Sequence, residues 1–571
     1  MANSDQKTLR WLWSVSGKQK WNILYLTVLE ILIGGSGVAF AYLLRGVINA
    51  AVAKEGERFW RHVFALILLT VCQLLIRAGI RFLSEYLKSS LENAYKSRLF
   101  SVLLRRDYSH VVSIHSGEWL NRLTSDVVVV AEGIATIVPE ISGMLVQLVG
   151  ATVMIFYLIP GIGMFVLPLG LFFAVLTFGF RKVLKSLHGK IQEQDGRLRV
   201  FLTERLSNLL VVKSFAMEEE TSLEANEKMT LHQRARMKRN HFSNACNVGF
   251  GVLMRGSYVA GAVICGWGIY QGTMSYGNLM AVMQLIGQIQ SPFANISGYL
   301  PKYYALLASA ERLIAAESFP SEPEGKKKKE EIQEVYETAF LGIELEKVCF
   351  TYVEPDQGQE SRNPIVLKEI NLMMKKGEYL AITGDSGCGK STLLKLMMSL
   401  YHPDSGQILI DLKDGKVPCD AVWRGLFAYV PQGNQLISGT IREILTFGKV
   451  KSKEEDAELW KALAIADAER FVRELPLGLG TELGERGAGL SEGQIQRLAI
   501  ARAIVSRHPI LLLDEATSSL DENSEKRVLS NLREMTDRTV IIVTHRPGAL
   551  AVCDKQISFR ENEVIIKQMK N

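Results

Sequence analysis

"GDSGCGKST", residues 384–392, decides the reading of this 571-residue chain. A short apolar strand at 380–383 runs into it, and a helix is predicted from Lys390. That strand–loop–helix context is what the G-x-x-x-x-G-K-[ST] pattern requires. Gly384, Gly387 and Gly389 let backbone N–H groups turn inward, and the helix N-terminus adds its positive end. Asp385, Ser386, Cys388 and Thr392 complete the loop. Lys390 is placed to neutralise β- and γ-phosphate charge, and the Ser391 hydroxyl is a candidate magnesium ligand. By itself the stretch means a nucleotide-phosphate cradle.

The surrounding sequence adds chemistry to the cradle. "HPILLLDEATSSLDE" (508–522) reads as a buried strand ending in Asp514 and Glu515. Asp514 is the candidate to hold magnesium through water, and Glu515 the candidate base for an attacking water. "AYVPQ" (428–432) ends in Gln432, within reach of both magnesium and that water. "TVIIVTH" (539–545) ends in His545, whose ring is predicted to face a γ-phosphate. Between them lies "GAGLSEGQIQRLAIARA" (487–503).

The first half is of another kind. A spanning helix needs about 20 mostly apolar residues, and six candidates occur, at 23–44, 63–83, 134–158, 162–180, 250–269 and 279–293. Loops after the third and fifth ("LIPGIG", "QGTMSYG") are short and carry no Lys or Arg. Stretches after the second and fourth are long, polar and rich in Arg and Lys, so they and both chain ends are predicted to be cytoplasmic. They keep helical spacing, which predicts helices extending far beyond the bilayer, with tips near 108–118 and 214–220 that are expected to touch the cytoplasmic domain. Residues 1–22 read as an amphipathic lead-in on the membrane surface.

Glu30, Arg77, Gln147, Arg255, Gln284 and Gln288 fall at membrane depth. They suit either a substrate pathway or a structural role, in interhelical hydrogen bonding or in snorkelling near the span ends, and Arg77, near the inner end of its span, leans to the structural role. The net charge of +6 is small for this length and does not argue for nucleic acid, and no nucleic-acid partner is expected. Seven scattered cysteines make neither a disulfide framework nor a zinc site. The stretch 318–334, with two prolines and four lysines at 326–329, reads as an exposed linker.

Taken together, these motifs resemble those of the ATP-binding cassette transporters, and specifically of exporters whose membrane and nucleotide domains share one chain. The resemblance covers nearly the whole chain. It implies an α-helical membrane bundle (23–304), a linker (305–340) and a cytoplasmic α/β P-loop ATPase domain (341–571). Tyr352 matches the adenine-stacking aromatic, 384–392 the Walker A loop, Gln432 the Q-loop, and "LSEGQ" (490–494) the signature. Asp514 and Glu515 match Walker B, "SSLD" (518–521) the D-loop, and His545 the switch histidine. "TELGERG" (481–487) resembles the X-loop, and "GEWLNRLTSDV" (117–127) the first cytoplasmic loop of exporter membrane domains.

The family implies ATP and Mg2+ as ligands, with magnesium held by Ser391, Gln432 and Asp514, and catalysis by Glu515, His545, Gln432 and Lys390. It implies a dimer, homodimer favoured over heterodimer, in which Ser491, Gly493, Gln494 and Asp521 reach the ATP of the other chain. It also implies a multi-pass protein of a bacterial inner membrane that exports or flips a substrate. An ATP-gated channel on the same scaffold is the alternative. Two departures stand out. Glu492 occupies a signature position that is usually glycine and is expected to face solvent. The family's further terminal helix is expected to be short or absent. A cysteine-protease domain ahead of the spans is not expected, so any peptide substrate is expected to be matured elsewhere.

Overall fold

Residues 510–513 and 540–543 are unbroken apolar runs, as strands covered on both faces must be, and with Asp514 and Thr539 every residue of the two strands is buried. They form β9 (Ile510–Asp514) and β10 (Thr539–Val543) of a six-stranded sheet. Its order is β12-β11-β3-β10-β9-β6, with β3 (Tyr379–Gly384), β6 (Phe427–Val430), β11 (Lys555–Arg560) and β12 (Glu563–Gln568). Five strands run parallel and β12 is an antiparallel edge. A second, antiparallel sheet has the order β2-β1-β4-β5: β1 (Phe340–Phe350), β2 (Leu367–Lys375), β4 (Ser405–Leu412) and β5 (Gly415–Pro418). A two-stranded ribbon joins β7 (Gly439–Thr440) to β8 (Glu482–Leu483).

The computed structural model describes residues 2–114, 116–159, 183, 186–323, 325, 327–352, 365–433, 436–448, 456–484, 487, 489–560 and 563–569. The fourth candidate span, 162–180, lies outside these residues, as do Lys326, Glu485 and Arg486. The chain divides into two compact units: 1–102 with 117–318, and 103–116 with 319–571.

The first unit is helical. Among the described residues, four helical segments are long and apolar enough to cross a membrane: Gly17–Val52, Gly56–Leu103, Ser116–Leu158 and Glu218–Tyr270. The first, second, third and fifth candidate spans fall within them. The sixth lies in the Tyr276–Glu317 helix, which contains Pro292 and Pro301. At 48 and 53 residues, the Gly56–Leu103 and Glu218–Tyr270 helices are about 70–80 Å long at 1.5 Å per residue, far more than a bilayer core needs. The predicted extension beyond the membrane is therefore built of the same continuous helices.

Two of the deep polar residues act as interhelical glue. Gln288 Nε2 donates to the Gly37 carbonyl at 2.7 Å, and Gln147 Nε2 to the Gln288 carbonyl at 3.1 Å. Glu140 accepts a hydrogen bond from the Tyr299 hydroxyl. Gln284 and Glu30 are half-buried, while Arg77 and Arg255 are exposed. The lead-in is an Ala2–Val15 helix. It is held by protein contacts: Leu12 is buried, and the Trp11 indole donates to Glu317 at 3.0 Å.

Helix continues through 317, and Lys329–Thr338 is a further helix that buries Ile332 and Tyr336 against the nucleotide-unit core. The described residues between these helices (318–323, 325, 327 and 328) are not helical. Among them, Glu322 pairs with Arg424 at 2.9 Å, and the Lys327 ammonium lies 3.7 Å from the centre of the Trp423 ring. That is a cation–π contact on the protein rather than a lipid-facing charge.

Candidate nucleotide site

In open parallel sheets, ligands bind beyond the carboxyl ends of the strands. Here the ends of four adjacent strands each deliver one candidate group. β3 leads into the loop 384–392, β10 to His545, β9 to Asp514 and Glu515, and β6 to Gln432. Strand register thus gathers residues more than 150 positions apart in sequence onto one edge.

Gly389 caps the Lys390–Met397 helix in the left-handed region, with φ of 96°. A Cβ there would lie 2.7 Å from Leu367 Cδ2, so only glycine fits both the turn and the space. Lys390 is 6% exposed, and its ammonium donates to the carbonyls of Gly384 at 2.6 Å and Asp385 at 2.9 Å. The Ser391 hydroxyl donates to Asp514 Oδ1 at 3.0 Å. This hydroxyl–carboxylate pair is the hard-oxygen donor set that magnesium takes. The glycine-lined cradle beside it fits a polyphosphate, so the residues present fit both ligands.

Glu515 follows the strand with φ of 50°, a region that costs a non-glycine residue about 1–3 kcal/mol. Its backbone N–H is held by the Val543 carbonyl of β10 at 3.1 Å. Its carboxylate accepts from Gln432 Nε2 at 2.7 Å. The Q-loop amide thus meets the candidate base through its nitrogen, which leaves its oxygen for a cation. His545 is exposed just beyond β10. Its neighbour Arg546 donates to the carbonyls of Ser518 and Leu520 and so braces the D-loop.

The signature begins the Glu492–Val505 helix. Ser491 is its N-cap: Gln494 N–H donates to the Ser491 hydroxyl, and Ser491 N–H to the Gln494 side-chain oxygen at 2.9 Å. Glu492 is exposed in the first turn, where a carboxylate suits the positive end of the helix. A Cβ on Gly493 would lie 2.9 Å from the Ser519 carbonyl, so glycine lets the D-loop pack against the signature. Gln496 completes that joint, donating to Ser518 and accepting from Ser519 N–H. Asp521 caps the Glu522–Arg533 helix through Ser524 N–H, and this backbone hydrogen bond leads in lowering the pKa of its carboxyl.

Tyr352 is half-buried, with its hydroxyl 2.9 Å from Thr392 Oγ1. Its ring packs edge-on against Phe350 and Tyr401, at 5.0 and 5.4 Å between centroids. Sequence reasoning missed the next member of this group. Tyr108, from segment 103–116, packs edge-on against Tyr401 at 5.8 Å. Beside it Asp107 accepts from Ser109 N–H at 2.9 Å and meets His402 at 2.8 Å. Burial acts to raise the Asp107 pKa, but the hydrogen bonds from Ser109 and His402 outweigh it and leave the carboxyl below its ordinary value. Tyr401 and His402 follow a helix without any motif of their own, so nothing in their spacing marked them.

Cys388 is half-buried in the loop. Burial pushes the thiols of Cys419 and Cys553 up to about 12, which suppresses the reactive thiolate. Maleimide is therefore expected to modify Cys388 ahead of those two, to lose access when ATP is added, and to abolish ATPase activity once attached. Mass spectrometry of the labelled peptide, read beside the rate, checks this. Full labelling with an unchanged rate would place the thiol away from the phosphates.

Known proteins of two family models match this chain. The model described as the ABC transporter transmembrane region matches residues 23–293, and the ABC transporter model matches residues 367–518. The uncharacterized ABC transporter ATP-binding protein YfiC of Bacillus subtilis is 26% identical, over 99% of this chain and 92% of its own. The ATP-dependent lipid A-core flippase of Desulfotalea psychrophila is 28% identical, over 92% of this chain and 90% of its own. A solved structure of a bacterial Atm1-family ABC exporter with ATP bound aligns with a TM-score of 0.79 at 21% identity. It covers 96% of this chain and 95% of that one, and the likeness speaks for the fold.

Proposed function

This chain belongs to the ABC transporter family, with membrane and nucleotide regions fused in one polypeptide, and on that premise we propose that it is an ATP-driven exporter or flippase working as a dimer. One observation carries the reading: Ser391 is hydrogen-bonded to Asp514 and Gln432 to the adjacent Glu515, two pairs on one sheet edge in a chain that also holds membrane-length helices. The flippase relative supports it, and no observation favours the channel. The domains are read as 1–22, 23–304, 305–340 and 341–571, the last lying in the cytoplasm.

The backbone N–H groups of 384–392 and Lys390 bind the phosphates of ATP, and Tyr352 orients the adenine. Ser391 and Asp514 would hold magnesium with the Gln432 oxygen; when bound, magnesium neutralises charge on the phosphate oxygens. Glu515 takes the proton of the attacking water, and Gln432 keeps the carboxylate aimed at it. His545 steadies the γ-phosphate. Ser491, Gly493, Gln494 and Asp521 of one chain face the ATP held by the other, in keeping with the exposure of Ser491 and Asp521. Closure around two ATP molecules and reopening after hydrolysis form a two-state element biased by phosphate. Segment 103–116, with Tyr108 against Tyr401, is a route by which that change reaches the membrane helices.

We favour a homodimer, because Glu515 makes this chain's own site complete. The test is the ATPase rate of the chain expressed alone and reconstituted in lipid. Sustained hydrolysis is expected. A folded, reconstituted sample that hydrolyses nothing would overturn the homodimer and call for a second, different chain.

A further inference from the structure

Tyr429 lies on β6, three residues before Gln432, inside the stretch 428–432 but with no role assigned to it there. β6 pairs in parallel with β9, with Tyr429 opposite Leu512. Side chains alternate along a strand, so Leu512 and Asp514 share a face. A phenol leaning forward along β6 reaches the carboxylate: Tyr429 donates to Asp514 Oδ2 at 2.9 Å. Ser391 occupies the other oxygen, Oδ1, at 3.0 Å.

Asp514 is 1% exposed. A carboxylate so buried needs hydrogen bonds to remain charged without large cost. Ser391 alone would leave the carboxyl plane free to turn about its bond to Cβ. With a hydroxyl on each oxygen, the plane is fixed at two points. A phenol keeps its proton at neutral pH, so Tyr429 is the donor in this pair. Phenylalanine would fill nearly the same space and donate nothing.

We propose that Tyr429 is a positioning residue for the magnesium site, holding the Asp514 carboxylate in the plane in which it and Ser391 receive the cation. The proposal rests on the nucleotide-site reading above. Tyr429 touches neither ATP nor metal and acts through Asp514. Partners of this outer kind set the orientation of the ligand and commonly carry about 10- to 100-fold in metal affinity.

The test uses the full-length chain in lipid and its Tyr429→Phe variant, with ATP affinity measured in EDTA and across a Mg2+ titration. Binding of Mn2+ in the presence of ATP, followed by electron paramagnetic resonance, gives a second readout independent of turnover. For Tyr429→Phe, affinity in EDTA is expected to match the unaltered chain, which also reports an intact fold. The Mg2+ and Mn2+ concentrations for half-saturation are expected to rise about 10-fold. Unchanged metal titrations would overturn the proposal. So would equal weakening with and without metal, which would make Tyr429 a packing residue of β6. Absence of any metal effect in the unaltered chain would instead bring down the nucleotide-site reading itself, and this proposal with it.

Discussion

Glu515→Gln is expected to bind ATP as the unaltered chain does and to hydrolyse it about 100-fold more slowly or worse, the scale of a lost general base. The substitution removes basicity and little else. Gln432 Nε2 donates to one oxygen of Glu515, and a glutamine at that position still offers an amide oxygen to accept. The backbone tie from Glu515 N–H to the Val543 carbonyl is untouched, so the strained φ of 50° persists. Ser391, Lys390 and the glycine loop, which bind the phosphates, are not altered either. The variant should therefore accumulate ATP-bound protein. Rapid-mixing phosphate release beside equilibrium ATP binding separates the two effects. A variant that turns over at the original rate would move the base to another residue, and the Asp514–Glu515 assignment would have to be redrawn.

What the sequence made legible follows from which signals are local. The loop 384–392, the strand ending in Asp514 and Glu515, and the stretch LSEGQ at 490–494 each declare themselves within about fifteen residues, because turn chemistry and strand burial are properties of neighbours. Five of the six candidate spans fall in helices of the described residues for the same reason. Contacts made across the fold were not legible. Tyr108 and Tyr401 meet across nearly 300 positions, and the pair Asp107–His402 spans 295. The reversal near 108–118 was legible as a tip meant for the cytoplasmic domain, and 103–116 does group with the nucleotide unit, but no periodicity pointed to its partners Tyr401 and His402. Tyr429 was passed over because an aromatic residue in a strand reads as packing, and only the β6–β9 register turns it toward Asp514. The deep glutamines left two readings open; for Gln147 and Gln288 the bonds to neighbouring helices favour glue over pathway.

Lys390→Ala is expected to fail earlier in the cycle, at binding. The ammonium carries three donors, and two are engaged by the carbonyls of Gly384 and Asp385. These contacts hold the charge inside the loop with a third donor left for a phosphate oxygen. Alanine removes the charge and strips both carbonyls of their donor, so the loop loses its internal brace as well as its attraction for phosphate. A hydrogen bond from a charged group contributes about 1.5–3 kcal/mol, which corresponds to a fall in ATP affinity of about 10- to 100-fold. Isothermal titration of the two variants distinguishes the roles: Glu515→Gln keeps its affinity and Lys390→Ala does not. The double variant should behave as Lys390→Ala alone, because a base has nothing to act on where the phosphates are not held. An affinity for ATP in Lys390→Ala equal to that of the unaltered chain would mean that the loop 384–392 binds by its backbone alone, and the lysine's role would shift from holding the ground state to steadying the phosphate as it departs.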